Sequence, residues 1–175
     1  MTTSSDPSRT AHWSPYEPDA AHARLAKLVG KWRGGSKTIM GPDAPAVEGP
    51  WEGEVTALLG GRFVRFGYRG MVGDKPHTGE LTVAYESAEK VWRMSWIDSF
   101  HTGTAILGMA SEPGRDGDSE IGARGTWFAA EGHPHWGWRT VIDDAQPGAM
   151  ILRMYVATPE GEEALGVEVL LERVR

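Results

Sequence analysis

The chain has 175 residues, enough for one domain with a substantial core, and none is cysteine, which excludes disulfides and thiolate metal sites. Its 18 basic and 24 acidic residues leave a net charge of −6 with no block of positive charge, which argues against nucleic acid or an anionic membrane surface as a partner. Eight tryptophans and 23 glycines stand out, and many glycines with many aromatics in short segments fit a curved antiparallel barrel better than a helical bundle.

The stretch from Met1 to Ala20 is polar and contains Pro7, Pro15 and Pro18. It lacks the apolar run of a signal peptide, and no later stretch is long and apolar enough to span a bilayer, so a cytoplasmic protein is expected. Residues 1–18 read as a flexible lead in which Trp13 and Tyr16 can pack onto the rest, and residues 19–175 as a single domain. Asp19 is suited to cap a helix whose stripe is Ala21, Leu25, Leu28 and Val29, with Gly30 at its C-terminal end.

Beyond Gly30 the pattern is strand and turn. Strands are expected near 32–40, 51–59, 62–72, 77–86, 90–100, 103–111, 120–129, 135–143, 149–157 and 164–174. Turn-formers separate them, among them Gly60-Gly61, Gly73-Asp74-Lys75-Pro76, Gln146-Pro147-Gly148 and Pro159-Glu160-Gly161. Short connections predict an all-β, up-and-down antiparallel meander of about ten strands, closed into a barrel so that no edge is left open.

Certain residues in this frame resemble known proteins. Gly30-Lys31-Trp32-Arg33-Gly34, directly after a short helix, resembles the Gly-x-Trp opening of calycin barrels, which include lipocalins, fatty-acid-binding proteins and nitrobindins. Leu58-Leu59-Gly60-Gly61-Arg62-Phe63-Val64, Tyr68-Arg69-Gly70, Tyr85-Glu86 and Trp96-Ile97-Asp98-Ser99 are similar to a bacterial lipocalin-like family catalogued as a domain of unknown function. The likeness runs over roughly residues 25–174. It implies a calycin-type barrel and no particular reaction, because fold alone does not determine function. Nitrobindins bind haem through a histidine from the C-terminal part of the barrel. Here no histidine follows His135, which leaves His101, His133 or His135 as the available substitutes, and no cofactor is expected.

The candidate site rests on one misfit. At period two, Trp92, Met94, Trp96, Asp98 and Phe100 share a face, and Arg93, Ser95, Ile97 and Ser99 share the other. A carboxylate thus stands on an apolar face, where it must pair, protonate or meet a hydrated cavity. An ion pair with Arg65, Arg69 or Arg139 would satisfy it structurally. A role as polar anchor or general base in an apolar pocket would satisfy it functionally. Nine residues of strand span roughly 30 Å at about 3.3 Å each, which puts Asp98 toward a barrel mouth.

His101 faces away from Asp98 if the strand continues, and a turn at Thr102-Gly103 would bring it back as an acid–base partner; the plainer reading is a solvent-facing turn histidine. His133-Pro134-His135 has a spacing some metal sites use, with His101, Asp98 or Glu131 as a third ligand, but reads equally well as a loop, and no metal is expected. In the 135–143 strand, alternation leaves open whether Trp136 and Trp138 or His135 and Arg139 point inward. Arg139 would be a natural partner for Asp98 or a ligand carboxylate. Tyr68, Tyr85 and Tyr155 are either wall residues or hydroxyls aimed at a ligand.

The expected function is binding of a small hydrophobic or amphipathic molecule inside the barrel, with Trp92, Met94, Trp96 and Phe100 as wall and Asp98 and Arg139 as orienting groups. The alternative is an enzyme, an isomerase, cyclase or lyase, with Asp98 as base and His101 or a tyrosine as acid. A third reading is a structural or partner-binding barrel, a homodimer joined through an exposed sheet face.

Overall fold

In the computed structural model, residues 19–41, 43–113, 120–127, 132 and 134–175 are described. The expected lead, with Trp13 and Tyr16, lies outside them, as do Glu131 and His133 of the candidate metal motif. The described residues open with a helix, α1 (Ala20–Leu28), followed by β1 (Gly30–Thr38), β2 (Val47–Leu58), β3 (Phe63–Val72), β4 (Lys75–Glu86) and β5 (Val91–Asp98). Then come β6 (Leu107–Ala110), β7 (Ile121–Trp127), β8 (Trp136–Asp143), β9 (Ala149–Ala157) and β10 (Glu163–Arg173). Neighbours in sequence pair antiparallel, and β1 pairs with β10 to close the barrel.

All ten expected strands form, with ends shifted by a few residues. The largest change is in the fifth and sixth: β5 stops at Asp98 rather than running to Phe100, and β6 starts only at Leu107. The Asp98 carboxylate causes the early stop. Its Oδ1 accepts hydrogen bonds from the backbone N–H of Phe100 at 2.7 Å and of His101 at 2.5 Å. Thr102 Oγ1 accepts from the Asp98 N–H and donates to its carbonyl. These local bonds offer the backbone an alternative to the ladder, and the chain turns over residues 99–104.

The helix closes one end of the barrel. Asp19 caps it by accepting from the His22 N–H at 3.0 Å, and Ser87 anchors the same carboxylate at 2.6 Å. Buried Leu25 and Leu28 face the barrel, and α1 packs against β3, β4 and the 3-10 turn at Leu59–Gly61. Trp32 plugs the floor, donating Nε1–H to the Leu28 carbonyl at 2.8 Å. The Arg173 guanidinium covers the Trp32 ring at 4.3 Å and donates to the carbonyls of Val29 and Lys27. Above this floor one apolar cluster forms the core, drawing on every strand.

The other end is the mouth, formed by the ends of β1, β3, β5, β7 and β9 and the starts of their partners. No described helix is long and apolar enough to cross a membrane.

Candidate functional site at the barrel mouth

Asp98 is the last residue of β5 and its side chain points inward, as alternation with Trp92, Met94 and Trp96 requires. In register, Tyr68 of β3 stands opposite Gly79 of β4, and Gly79 stands opposite Asp98. Because residue 79 has no side chain, the Tyr68 phenol can cross the intervening strand and donate to Asp98 Oδ2 at 2.7 Å. A Cβ at Gly79 would lie 2.2 Å from Tyr68 Oη. Trp96 fixes the hydroxyl further by donating its Nε1–H to Tyr68 Oη at 2.8 Å. Gly79→Ala is accordingly expected to cost about 1–3 kcal/mol, the range of an overpacked core. Urea unfolding monitored by tryptophan fluorescence checks this, and a loss under about 0.5 kcal/mol, typical of a surface change, would contradict it.

Two histidines complete the cluster. His77, at the start of β4, is wholly buried, and its Nε2 lies 2.5 Å from Asp98 Oδ2. Its ring is packed among Trp51, Tyr68 and Phe100, at centroid distances of 4.8, 5.5 and 6.3 Å. His101 is carried back by the turn so that its Nδ1 lies 3.0 Å from Asp98 Oδ1, with its side chain 17% exposed. Burial acts to raise the pKa of Asp98. Hydrogen bonds from His101 and His77, the attraction of His101 and its backbone N–H outweigh that, and hold the carboxyl well below the usual range. Burial and the Asp98 charge push the Tyr68 phenol far up, so it stays a neutral donor.

Beside this cluster lies a cavity of about 820 Å³ that opens at the mouth. Trp96, Phe100, Ile106, Leu107, Trp127, Trp138 and Val156 give it apolar walls, while His101, His135, Thr38, Thr102 and Thr126 supply polar groups. The Trp96 and Trp138 rings stack at 5.0 Å, 24° apart, and the His101 ring lies 5.4 Å from Trp96. Asp98 sits behind His101 rather than on the cavity wall. With Nδ1 of His101 held by Asp98, Nε2 is the ring atom left for a ligand. Most of the walls are apolar and the polar groups are few, as in small-molecule sites generally.

The structure thus brings together Asp98, His101, Tyr68, Trp96 and Phe100 of the expected site. It separates the others. Trp92 and Met94 are buried in the core below the cavity, and Tyr85 lies at the closed end, 4.8 Å from the Trp92 ring and 6.0 Å from His22. Arg139 does not meet Asp98: Trp138 takes the inward position on β8, so its neighbour points out, to Glu163 at 3.1 Å and Glu120 at 3.5 Å. Tyr155 is the register partner of Arg139, lies on the same outer face and has the guanidinium 3.9 Å over its ring. Arg65 and Arg69 are also outward and pair with Glu80 and Glu52. The carboxylate is therefore met by histidines, a tyrosine and backbone amides, not by arginine.

His77 was missed from sequence. It shares inward parity with Leu81 and Val83 on β4, so a polar residue at the mouth end of an apolar face was the available signal.

With the geometry described, comparison with known proteins adds the family. A family described as Protein of unknown function (DUF1579) matches residues 17–173. The chain belongs to that family. The ten-stranded closed barrel agrees with the calycin-type fold that the sequence resemblance implies. Curated proteins provide no sequence match. Among solved structures, the S-type phycobiliprotein lyase from Guillardia theta is similar in fold: 12% identical, with a TM-score of 0.55, over 90% of this chain and 94% of that one.

Proposed function

We propose that this DUF1579 protein binds a small, largely apolar molecule in the mouth cavity, with one polar group of the ligand on His101 Nε2. The observation that carries the reading is the pairing of an apolar cavity of about 820 Å³ with one imidazole whose orientation is held from behind by a buried carboxylate. The aromatic lining of Trp96, Phe100, Trp127 and Trp138 favours an aromatic or conjugated ligand, because ring edges and faces gain from contact with another π-system.

Val156 borders the cavity and is half-buried, so Val156→Trp fills the space with little disturbance of the core. Native mass spectrometry of the purified chain is expected to show one non-covalent small-molecule adduct, or uptake of one 8-anilinonaphthalene-1-sulfonate when it is offered. Val156→Trp should lose at least ten-fold in occupancy. A wild-type chain that stays bare under both conditions contradicts the proposal.

One observation favours a second reading as an enzyme. A histidine held at Nδ1 by a buried carboxylate, with Nε2 left for a mostly apolar cavity, is suited to take a proton from a bound molecule and return it elsewhere on the same molecule. In that reading His101 is the base and Asp98 its positioning residue, since the carboxylate oxygens are occupied by donors from the protein. An isomerase, cyclase or lyase would use such a transfer, and the fold likeness to a phycobiliprotein lyase is consistent with it. His101→Gln separates the readings: in the enzyme case it abolishes turnover, and in the binding case it only weakens affinity by the loss of one polar contact.

A further inference from the structure

The Asp98 carboxylate is over-supplied with donors. Tyr68 Oη, His77 Nε2, the backbone N–H groups of Phe100 and His101, and His101 Nδ1 all converge on it. That is five donors for a group with about four lone-pair sites. The tyrosine and the two amides already satisfy it as a structural acceptor. The histidines are in excess, and His77 is an odd structural residue. It is wholly buried, yet its Nδ1 has no hydrogen-bond partner, so its one polar contact is the approach of Nε2 to Asp98. A core imidazole placed for packing ordinarily satisfies both nitrogens.

From this we propose that His77, Asp98 and His101 form a binding site for a first-row divalent transition-metal ion. His77 Nε2, an Asp98 carboxylate oxygen and His101 Nδ1 would be the protein ligands. These atoms all lie within 4.8 Å of one another. Zinc bonds of about 2.0–2.2 Å place neighbouring ligands of a tetrahedral site about 3.4 Å apart. The contacts of 2.5 Å from His77 to Oδ2 and 3.0 Å from His101 to Oδ1 thus open by under about 1 Å around a carboxylate that uses both oxygens, while separations of up to 4.8 Å close by up to about 1.4 Å. A histidine coordinates a metal as the neutral imidazole, so in the loaded site each ring carries its proton on the far nitrogen. The His101 proton then faces the cavity, and the His77 proton lies among the Trp51, Tyr68 and Phe100 rings.

Two nitrogens and one oxygen suit zinc, iron, cobalt or manganese and disfavour calcium and magnesium, which prefer all-oxygen shells. Tyr68, fixed by Trp96, and the two amides orient the carboxylate from outside the ligand set, whereas the far nitrogen of His77 has no hydrogen-bond acceptor and lies against aromatic rings. His101 is the ligand that borders the cavity, so an open coordination position directed there would receive water or the polar group of a bound molecule. The site adds to the cavity reading and does not depend on it.

The test uses the full chain, stripped with EDTA and titrated with Co²⁺, followed by d–d absorption and by calorimetric competition with Zn²⁺. One equivalent should bind. His77→Gln and His101→Gln should each weaken binding at least ten-fold, while His22→Gln, at the closed end, should leave it unchanged. If His77→Gln fails to fold, His101→Gln decides, since that ring is partly exposed. Absence of saturable one-to-one uptake by the folded wild type, or uptake unaffected by His101→Gln, overturns the site. A chain that takes up 8-anilinonaphthalene-1-sulfonate but no metal overturns this proposal alone. One that takes up metal but carries no small-molecule adduct and takes up no organic probe leaves the metal site standing and overturns the cavity reading.

Discussion

Asp98→Asn should lower the stability of the barrel by about 3 kcal/mol, the lower end of the range for breaking a buried charge pair. The carboxylate has no exposed surface and accepts from five donors. An asparagine oxygen can keep the turn by accepting from Phe100 and His101. Its NH₂ group then faces Tyr68 Oη and His77 Nε2, where a donor meets donors. The cost stays near the lower end because His77 can switch tautomer and accept at Nε2. The Tyr68 hydroxyl has less room to adapt, since it already accepts from Trp96. For a chain of this size the loss corresponds to roughly 6–12 °C in Tm. Urea and thermal unfolding with matched probes measure it. A change under about 1 kcal/mol would mean that the converging donors do not depend on the charge.

Trp96→Ala should cost about 3–5 kcal/mol, as truncating a buried tryptophan does. The ring is 2% exposed, stacks on Trp138 and holds the Tyr68 hydroxyl through Nε1. Its removal also joins new space to the mouth cavity, so the neighbouring walls collapse only partly. Trp96→Phe separates the contributions: it keeps an aromatic panel and loses one hydrogen bond, worth about 1 kcal/mol. Denaturant midpoints of the two variants give the comparison. Equal losses for Ala and Phe would assign the whole effect to the hydrogen bond and contradict a packing role.

Much of this architecture was legible in the residues. Turn-formers marked the strand boundaries, and the alternation of Trp92, Met94, Trp96 and Asp98 marked the inward face of β5 correctly. The misplaced carboxylate pointed to the mouth. Its partners were harder to read. Histidine 77 lies 21 residues away, and only barrel register, through Gly79, sets its strand beside Asp98. The turn after Asp98 depends on that same side chain capturing two amides, an event that strand periodicity does not encode. Arg139 illustrates a different limit. Period-two alternation admits two mirror assignments for β8, and what selects between them is contact with other strands: Trp138 on Trp96 inside, Glu163 and Tyr155 outside.

The location of the ligand is the central claim, and the indole N–H resonances of the tryptophans report on it directly in a two-dimensional ¹H–¹⁵N spectrum. On addition of 8-anilinonaphthalene-1-sulfonate, the signals of Trp96, Trp127 and Trp138, which border the cavity, should shift with saturation at one equivalent, while those of Trp32, Trp51 and Trp92 hold still. Single Trp→Phe variants assign the peaks. Shifts confined to Trp32 or Trp92, or a spectrum that does not change, would contradict binding at the mouth beside His101.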